Sequence, residues 1–212
     1  MHDDIDGGPQ MIFLVPTHDL VHEFVKLAKV ATTNTNFKVC ALYRKKESGD
    51  YTVESDEDRE KTLREIAESH IVISTTGRLA SLCRKVNFQY LRFFIIDEID
   101  KMLSQQCSDM PEQIKTIMTH VCKSRSERST TLQLIFMTAT PSAVMTRFQD
   151  TIQFASIGRH GMFFSTCAKH STCAKHKNIA LALDWCVLKL TNFFSLFVIN
   201  WINNSAFRME YN

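Results

Sequence analysis

Asp97, Glu98 and Asp100 put three carboxylates within four positions, directly after the apolar run Phe93-Phe94-Ile95-Ile96. Acids just beyond the carboxyl end of a buried parallel strand stand where open α/β sheets bind ligands. The arrangement suits a hydrated magnesium ion carrying phosphates, because magnesium prefers oxygen ligands and keeps several of its waters. A plainer alternative is a buried strand followed by an acidic first helical turn, which the helix dipole also favours. Two further stretches, Pro16-Thr17-His18-Asp19 and Thr75-Thr76-Gly77-Arg78, each follow an apolar run and open a helical pattern. Helix amino ends favour anions, a glycine lets a ligand approach the backbone, and an arginine adds a charged fork. For residues 75–78 an ordinary helix cap is the alternative. Thr138-Ala139-Thr140 closes the last strong apolar run.

These groups need a scaffold, and the hydrophobic pattern supplies one. Apolar runs at 11–15, 37–43, 70–74, 91–96 and 131–137 read as strands, with another at 152–157. Between them, Leu20, Val21, Phe24, Leu27 and Ala28 share one helical face. Leu63, Ile66 and Ala67 form a second such face, and Ile114, Ile117, Met118 and Val121 a third. The charged span 44–59 reads as a solvated loop, 123–128 as a basic loop, and a short helix follows Pro141. Strands alternating with helices predict a parallel α/β sheet with right-handed crossovers. The four polar signatures then all line one edge of that sheet. Their common placement is stronger evidence than any one of them.

The 212 residues are 44% hydrophobic and 23% charged, the balance of a soluble globular protein. A formal net charge of +2 neither marks nor excludes a nucleic-acid binder, so any basic surface is local. Seven cysteines without a signal peptide point to reduced thiols and not to a disulfide framework. The acidic first ten residues lack the basic and apolar regions of a targeting sequence. An intracellular location is expected.

In order and spacing, the four signatures resemble those of the N-terminal RecA-like domain of a DEAD-box ATP-dependent RNA helicase. Pro16-Thr17-His18-Asp19-Leu20 stands where that family has Pro-Thr-Arg-Glu-Leu, and Thr75-Thr76-Gly77-Arg78-Leu79 is similar to Thr-Pro-Gly-Arg-Leu. Asp97-Glu98-Ile99-Asp100 is similar to Asp-Glu-Ala-Asp, and Thr138-Ala139-Thr140 to Ser-Ala-Thr. Val86-Asn87-Phe88, Asp100-Lys101-Met102-Leu103 and Ile157-Gly158-Arg159 look most like the Vasa-like branch. The resemblance implies a RecA-like fold of the P-loop NTPase type over residues 1–162, with a tail at 163–212. It implies ATP and magnesium as cofactors and RNA as partner, without sequence-specific DNA. Asp97 would hold magnesium through water, and Glu98 would orient and deprotonate the attacking water. Asp100, Thr138 and Thr140 would couple the ATP site to domain closure, the hydroxyl surviving the change from Ser to Thr at 138. Pro16, Thr17, His18, Thr75, Gly77 and Arg78 would grip RNA phosphates, contacts that carry no base readout. The implied location is cytoplasmic or in a ribonucleoprotein granule, with the nucleus also open.

The pattern is departed from in several places. No Gly-x-x-x-x-Gly-Lys-Ser/Thr loop occurs in the 212 residues, nor the family's adenine-reading Gln segment, and no second RecA-like domain is recognisable after 162. His18 replaces an arginine, which weakens one phosphate contact, and Tyr43-Arg44-Lys45-Lys46 replaces a Gly-Gly turn. By family fold the strand before the missing loop lies inside the sheet, so two strands are expected to lack partners. The chain alone is therefore expected to bind ATP poorly, to fold marginally and to be catalytically inactive. A non-catalytic RNA-binding or partner-binding module derived from such a domain is the alternative.

In the tail, Ser165-Thr166-Cys167-Ala168-Lys169-His170 repeats at once as residues 171–176. Cys167, His170, Cys173 and His176 are zinc-type ligands, but their spacing lacks the loop that zinc modules fold around the metal. The reading is a local duplication without metal. The apolar segment 179–202 is interrupted by Asp184, Lys189, Asn192 and Asn200 and is not read as a membrane span. Translated non-coding sequence or an alternative end is the preferred account of it.

Overall fold

The computed structural model describes residues 8–44, 46–47, 50–51, 55–104, 109–125, 132–138 and 162–166. The expected alternation forms: β1 (Met11–Val15), α1 (His18–Ala31), β2 (Val39–Leu42), β3 (Lys46–Glu47), β4 (Asp50–Tyr51), α2 (Asp56–Ala67), β5 (Ile71–Thr75) and α3 (Thr76–Leu82). Next come β6 (Phe93–Ile96), α4 (Ile99–Met102), α5 (Met110–Arg125), β7 (Gln133–Thr138) and β8 (Met162–Thr166). Six strands make one sheet in the order β2-β5-β1-β6-β7-β8, and every pairing in it is parallel.

Why the sheet forms is visible in β1. Each of its five residues is fully buried, so alternation about the strand feeds two cores instead of one. Met11, Phe13 and Val15 join Ile71, Ile73, Ile95, Ile135 and Met137 beneath α1. Helix α1 contributes Val21, Phe24 and Ala28, spaced to form one buried stripe. The Phe13 and Phe24 rings sit 4.5 Å apart there. On the other face, Ile12, Leu14, Val72, Phe94, Ile96, Leu134 and Phe136 meet Leu79 and Leu82 of α3 and Ile114, Ile117 and Val121 of α5. Residues Phe94 to Ile96 are pinned in the sheet's interior by β1 on one side and β7 on the other.

Three parts differ from the sequence expectation. The span 44–59, expected as a loop, carries the antiparallel β3–β4 pair and the start of α2. Ser55 caps that helix: its hydroxyl accepts from the Asp58 amide at 3.1 Å and donates to the Asp58 carboxylate at 2.6 Å. Asp56, Glu57 and Asp58 in the first turn are exposed and complement the helix dipole, so the end of the charge run is a helix start. Helix α5 runs on to Arg125, taking in part of the expected basic loop. Finally, β7 does not lack a neighbour. Strand β8 pairs with it from Leu134↔Met162 to Thr138↔Thr166, whereas the sequence leads one to expect two strands, neither singled out, without partners. The sheet thus continues into the residues read as tail.

The expected strand at 152–157, the helix after Pro141, Thr140, the Cys/His repeat from 167 and the apolar segment 179–202 lie outside the described residues. Among the described residues, no helix is long and apolar enough to cross a membrane. Cys40, Cys83 and Cys122 are free thiols, and burial pushes the Cys40 thiol up to about 12.

Candidate functional site

The parallel register brings the strand ends into line. Val15 stands beside Thr75 and Leu14 beside Ile96, so Pro16-Thr17, Thr76-Gly77-Arg78 and Asp97-Glu98 leave the sheet at the same edge. Thr138 ends β7 two positions beyond Phe136, the partner of Ile96, which sets it at the level of Glu98.

Asp97 is the most constrained of these residues. Its amide donates to the Leu14 carbonyl at 2.9 Å, extending the sheet by one bond. Its Oδ1 accepts from the Glu98 amide at 2.8 Å. Its Oδ2 is buried and, among the described residues, meets no donor. The residue is 4% exposed. Burial is the main reason its pKa is pushed up to about 7, against the stabilising bond from the Glu98 amide, while the Glu98 charge pushes it further up. A buried carboxylate oxygen without a donor is a costly group, and a cation is the partner that suits it best. Magnesium is held by one or two carboxylates plus waters and phosphates, so a single such oxygen fits it. Among the described residues, no group of three His, Cys, Asp or Glu side chains forms a cage for a metal.

Glu98 takes the left-handed conformation, φ 49° and ψ 41°, as the residue before α4. A side chain bearing Cβ loses about 1 kcal/mol there relative to an ordinary helical position. The turn swings the carboxylate toward Lys101, whose ammonium nitrogen lies 2.7 Å from Glu98 Oε1. That bond is the largest of the influences raising the Lys101 pKa. Asp100 is half-buried in the single turn of α4. The sequence marks Lys101 only as part of Asp100-Lys101-Met102-Leu103 and gives it no role, although its spacing of three from Glu98 is the spacing of neighbours on a helix.

The second part of the edge is built from α1 and α3. Thr17 is exposed, and its Oγ1 accepts from the Leu20 amide at 3.4 Å, a long capping bond. Pro16 and His18 are half-buried beside it. Thr75 is buried at the N-cap of α3, but its hydroxyl makes no capping bond. Gly77 has ordinary helical geometry. The Gln113 amide of α5 lies over it, 3.5 Å from where a Cβ would stand, an ordinary van der Waals distance, so packing alone does not require a glycine here. Arg78 is only 8% exposed, and its Nη2 reaches Thr62 Oγ1 on α2 at 3.5 Å. It links α3 to α2. Gln113 is not visible as a neighbour of Gly77 in the sequence, 36 positions away, because only packing of α3 on α5 joins them.

Comparison with known proteins bears on this geometry. The family model described as DEAD/DEAH box helicase matches residues 1–148. The chain is 27% identical over 157 residues to the ATP-dependent RNA helicase vasa of Drosophila melanogaster, covering 72% of this chain and 21% of that protein. It is 29% identical over 119 residues to the ATP-dependent RNA helicase eIF4A of Eremothecium gossypii, covering 55% and 27% respectively. The chain thus spans about a quarter or less of the length of these relatives. Among solved structures, the yeast DEAD-box splicing factor Prp28 is similar with a TM-score of 0.56 and 21% identity, over 76% of this chain and 34% of that one. The DEAD-box helicase Mss116, bound to single-stranded RNA and UDP-BeF, is similar with a TM-score of 0.57 and 18% identity, over 77% and 31%. At such identities these two show a shared fold.

Proposed function

The chain belongs to the DEAD/DEAH box helicase family, and from that premise we propose that its sheet edge is the ATP- and RNA-facing part of an ATP-dependent RNA helicase. One observation carries the reading: the buried Asp97 Oδ2, without a donor among the described residues, stands on the same edge as Thr17 and the Thr75–Arg78 turn. A buried acid whose second oxygen meets no donor among the described residues and the exposed Thr17 at the start of α1 are then held by one sheet.

Asp97 would hold magnesium, through water, beside the nucleotide phosphates. The metal, when bound, would neutralise phosphate charge that builds up during transfer. Glu98 has its carboxylate at the same place and would take the proton of the attacking water, its Oε1 first releasing Lys101. Asp100, Thr138 and Thr140 would relay the state of this corner toward the RNA side. Phosphoryl transfer is mostly positioning and electrostatics, so loss of either carboxylate costs rate far more than it costs binding. Thr17 and the α3 turn would follow the RNA backbone without reading sequence.

A second reading has an observation of its own. These 212 residues contain no Gly-x-x-x-x-Gly-Lys-Ser/Thr loop, so this stretch can serve as an RNA-binding module without hydrolysing ATP by itself. RNA-stimulated ATP hydrolysis, measured beside an Asp97→Ala/Glu98→Ala control, separates the two. Hydrolysis that the control abolishes supports the first reading. Salt-sensitive RNA binding with no hydrolysis supports the second, and absence of both defeats the two together.

A further inference from the structure

His18 and Tyr43-Arg44 are two departures from the family pattern, 25 and more positions apart in sequence, and the fold brings them into contact. Tyr43 follows the last residue of β2, and His18 opens α1, which packs on β2. The His18 and Tyr43 ring centroids are 5.6 Å apart, tilted by 49°. His22, one turn further along α1, brings its ring to 4.6 Å from Tyr43, tilted by 60°. Tyr43 packs against the core beneath α1. His18 and Tyr43 are half-buried, whereas His22 and Arg44 are exposed.

The buried stripe of α1 runs through Val21, Phe24 and Ala28, so the imidazoles are not needed to seat the helix. What the three rings make is a π-surface, packed on the core at its base, open on the His22 side and next to Thr17. We propose that His18, His22 and Tyr43 form a stacking corner for one unpaired base of a bound RNA strand. This rests on the RNA-binding reading above and deepens it. Aromatic and imidazole faces accept any base, because every base has a π-face. A base in a duplex is already stacked, so the corner takes single-stranded RNA. The exposed Arg44 places a cation beside the same strand. A position where the family pattern has an arginine on phosphate thus carries a ring on a base, and affinity lost from the backbone returns through stacking.

The test uses the full 212-residue chain and two short single-stranded RNAs of equal length, one unmodified and one abasic with the same phosphates. Fluorescence anisotropy is expected to show the unmodified strand bound about five- to tenfold more tightly. His22→Ala and Tyr43→Leu remove most of that preference, leave affinity for the abasic strand unchanged, and abolish quenching of a 2-aminopurine placed in the strand. Thr17→Ala weakens both strands by the same factor. Should Tyr43→Leu lower the melting temperature, the exposed His22→Ala decides alone. Equal affinity of the wild-type chain for the two strands overturns the stacking corner while leaving the RNA-binding reading intact. Full retention of the preference in His22→Ala also overturns it. Binding of neither strand overturns both.

Discussion

Asp97 and Thr17 both stand within two residues of the end of a buried strand, at one edge of one sheet, yet they are treated in opposite ways. Thr17 is exposed and spends its oxygen on its own helix, accepting from the Leu20 amide. Asp97 is buried, and only one of its oxygens is answered from within the described chain. Beside it, Glu98 holds a left-handed backbone that a glycine would adopt more easily. At the other corner Thr17 caps its own helix, Arg78 reaches Thr62 on α2, and Gly77 lies against Gln113 of α5. The acid corner carries two costs, desolvation and backbone strain, that the fold around it supports. Where a buried polar group is left without a partner inside the protein, a partner from outside is the first thing to look for.

That contrast can be broken, beginning at the acid corner, where the expected effect is greatest. Asp97 takes up its proton at about 7 when folded, against 3.8 ordinarily. Between those values the folded chain keeps a proton that the unfolded chain has released. Stability therefore falls as pH rises through that window, and the loss is complete above pH 7, amounting to at most about 4 kcal/mol. Urea unfolding of the wild-type chain and Asp97→Asn from pH 4 to pH 8 should show the wild-type midpoint falling relative to the variant. Parallel profiles would mean that Asp97 is not a costly group.

A smaller effect belongs to the other corner. Thr17→Ala removes a helix cap and is expected to cost about 1 kcal/mol, whereas Thr75→Val, whose hydroxyl makes no capping bond, should stay within about 0.5 kcal/mol. Thermal melts of the pair decide whether the two turns differ as the hydrogen bonds say. Glu98→Gly relieves the left-handed strain and should gain up to about 1 kcal/mol. A loss in the same melt would show that the strain relieved is smaller than the Lys101 ion pair and unfolded-state entropy that the glycine gives up. Smallest of all, Lys101→Met breaks a surface ion pair and is expected to shift stability by no more than about 0.5 kcal/mol, fading with added salt. A larger shift would mean that the Glu98–Lys101 pair holds α4 in place.

The sheet was readable because strands buried on both faces leave an unmistakable trace: Met11–Val15, Ile71–Thr75 and Phe93–Ile96 carry scarcely a polar residue. Helix α1 was readable because its apolar stripe repeats with the helical period. Helix α2 was harder, since Asp56, Glu57 and Asp58 look like a solvated run until Ser55 is seen to cap them. Strand β8 gave less warning still. Its sequence, Met-Phe-Phe-Ser-Thr, runs into the first two residues of a repeat that draws the eye to cysteine and histidine. The conformation of Glu98 left no trace, because left-handed backbone is ordinarily announced by glycine.

By itself the sequence determined which residues end strands, and so which polar groups share an edge, because hydrophobic period and strand length are local properties. It also carried the family likeness through Asp97-Glu98-Ile99-Asp100 and its companions. Tertiary structure alone decided that Arg78 turns into the fold toward Thr62, that Gln113 covers Gly77, and that Tyr43 meets His18 and His22. It alone decided that one oxygen of Asp97 is buried without a donor among the described residues. Each of these depends on which elements pack together across the sheet edge. Burial and contact are properties of the space between elements, which no stretch of chain encodes alone.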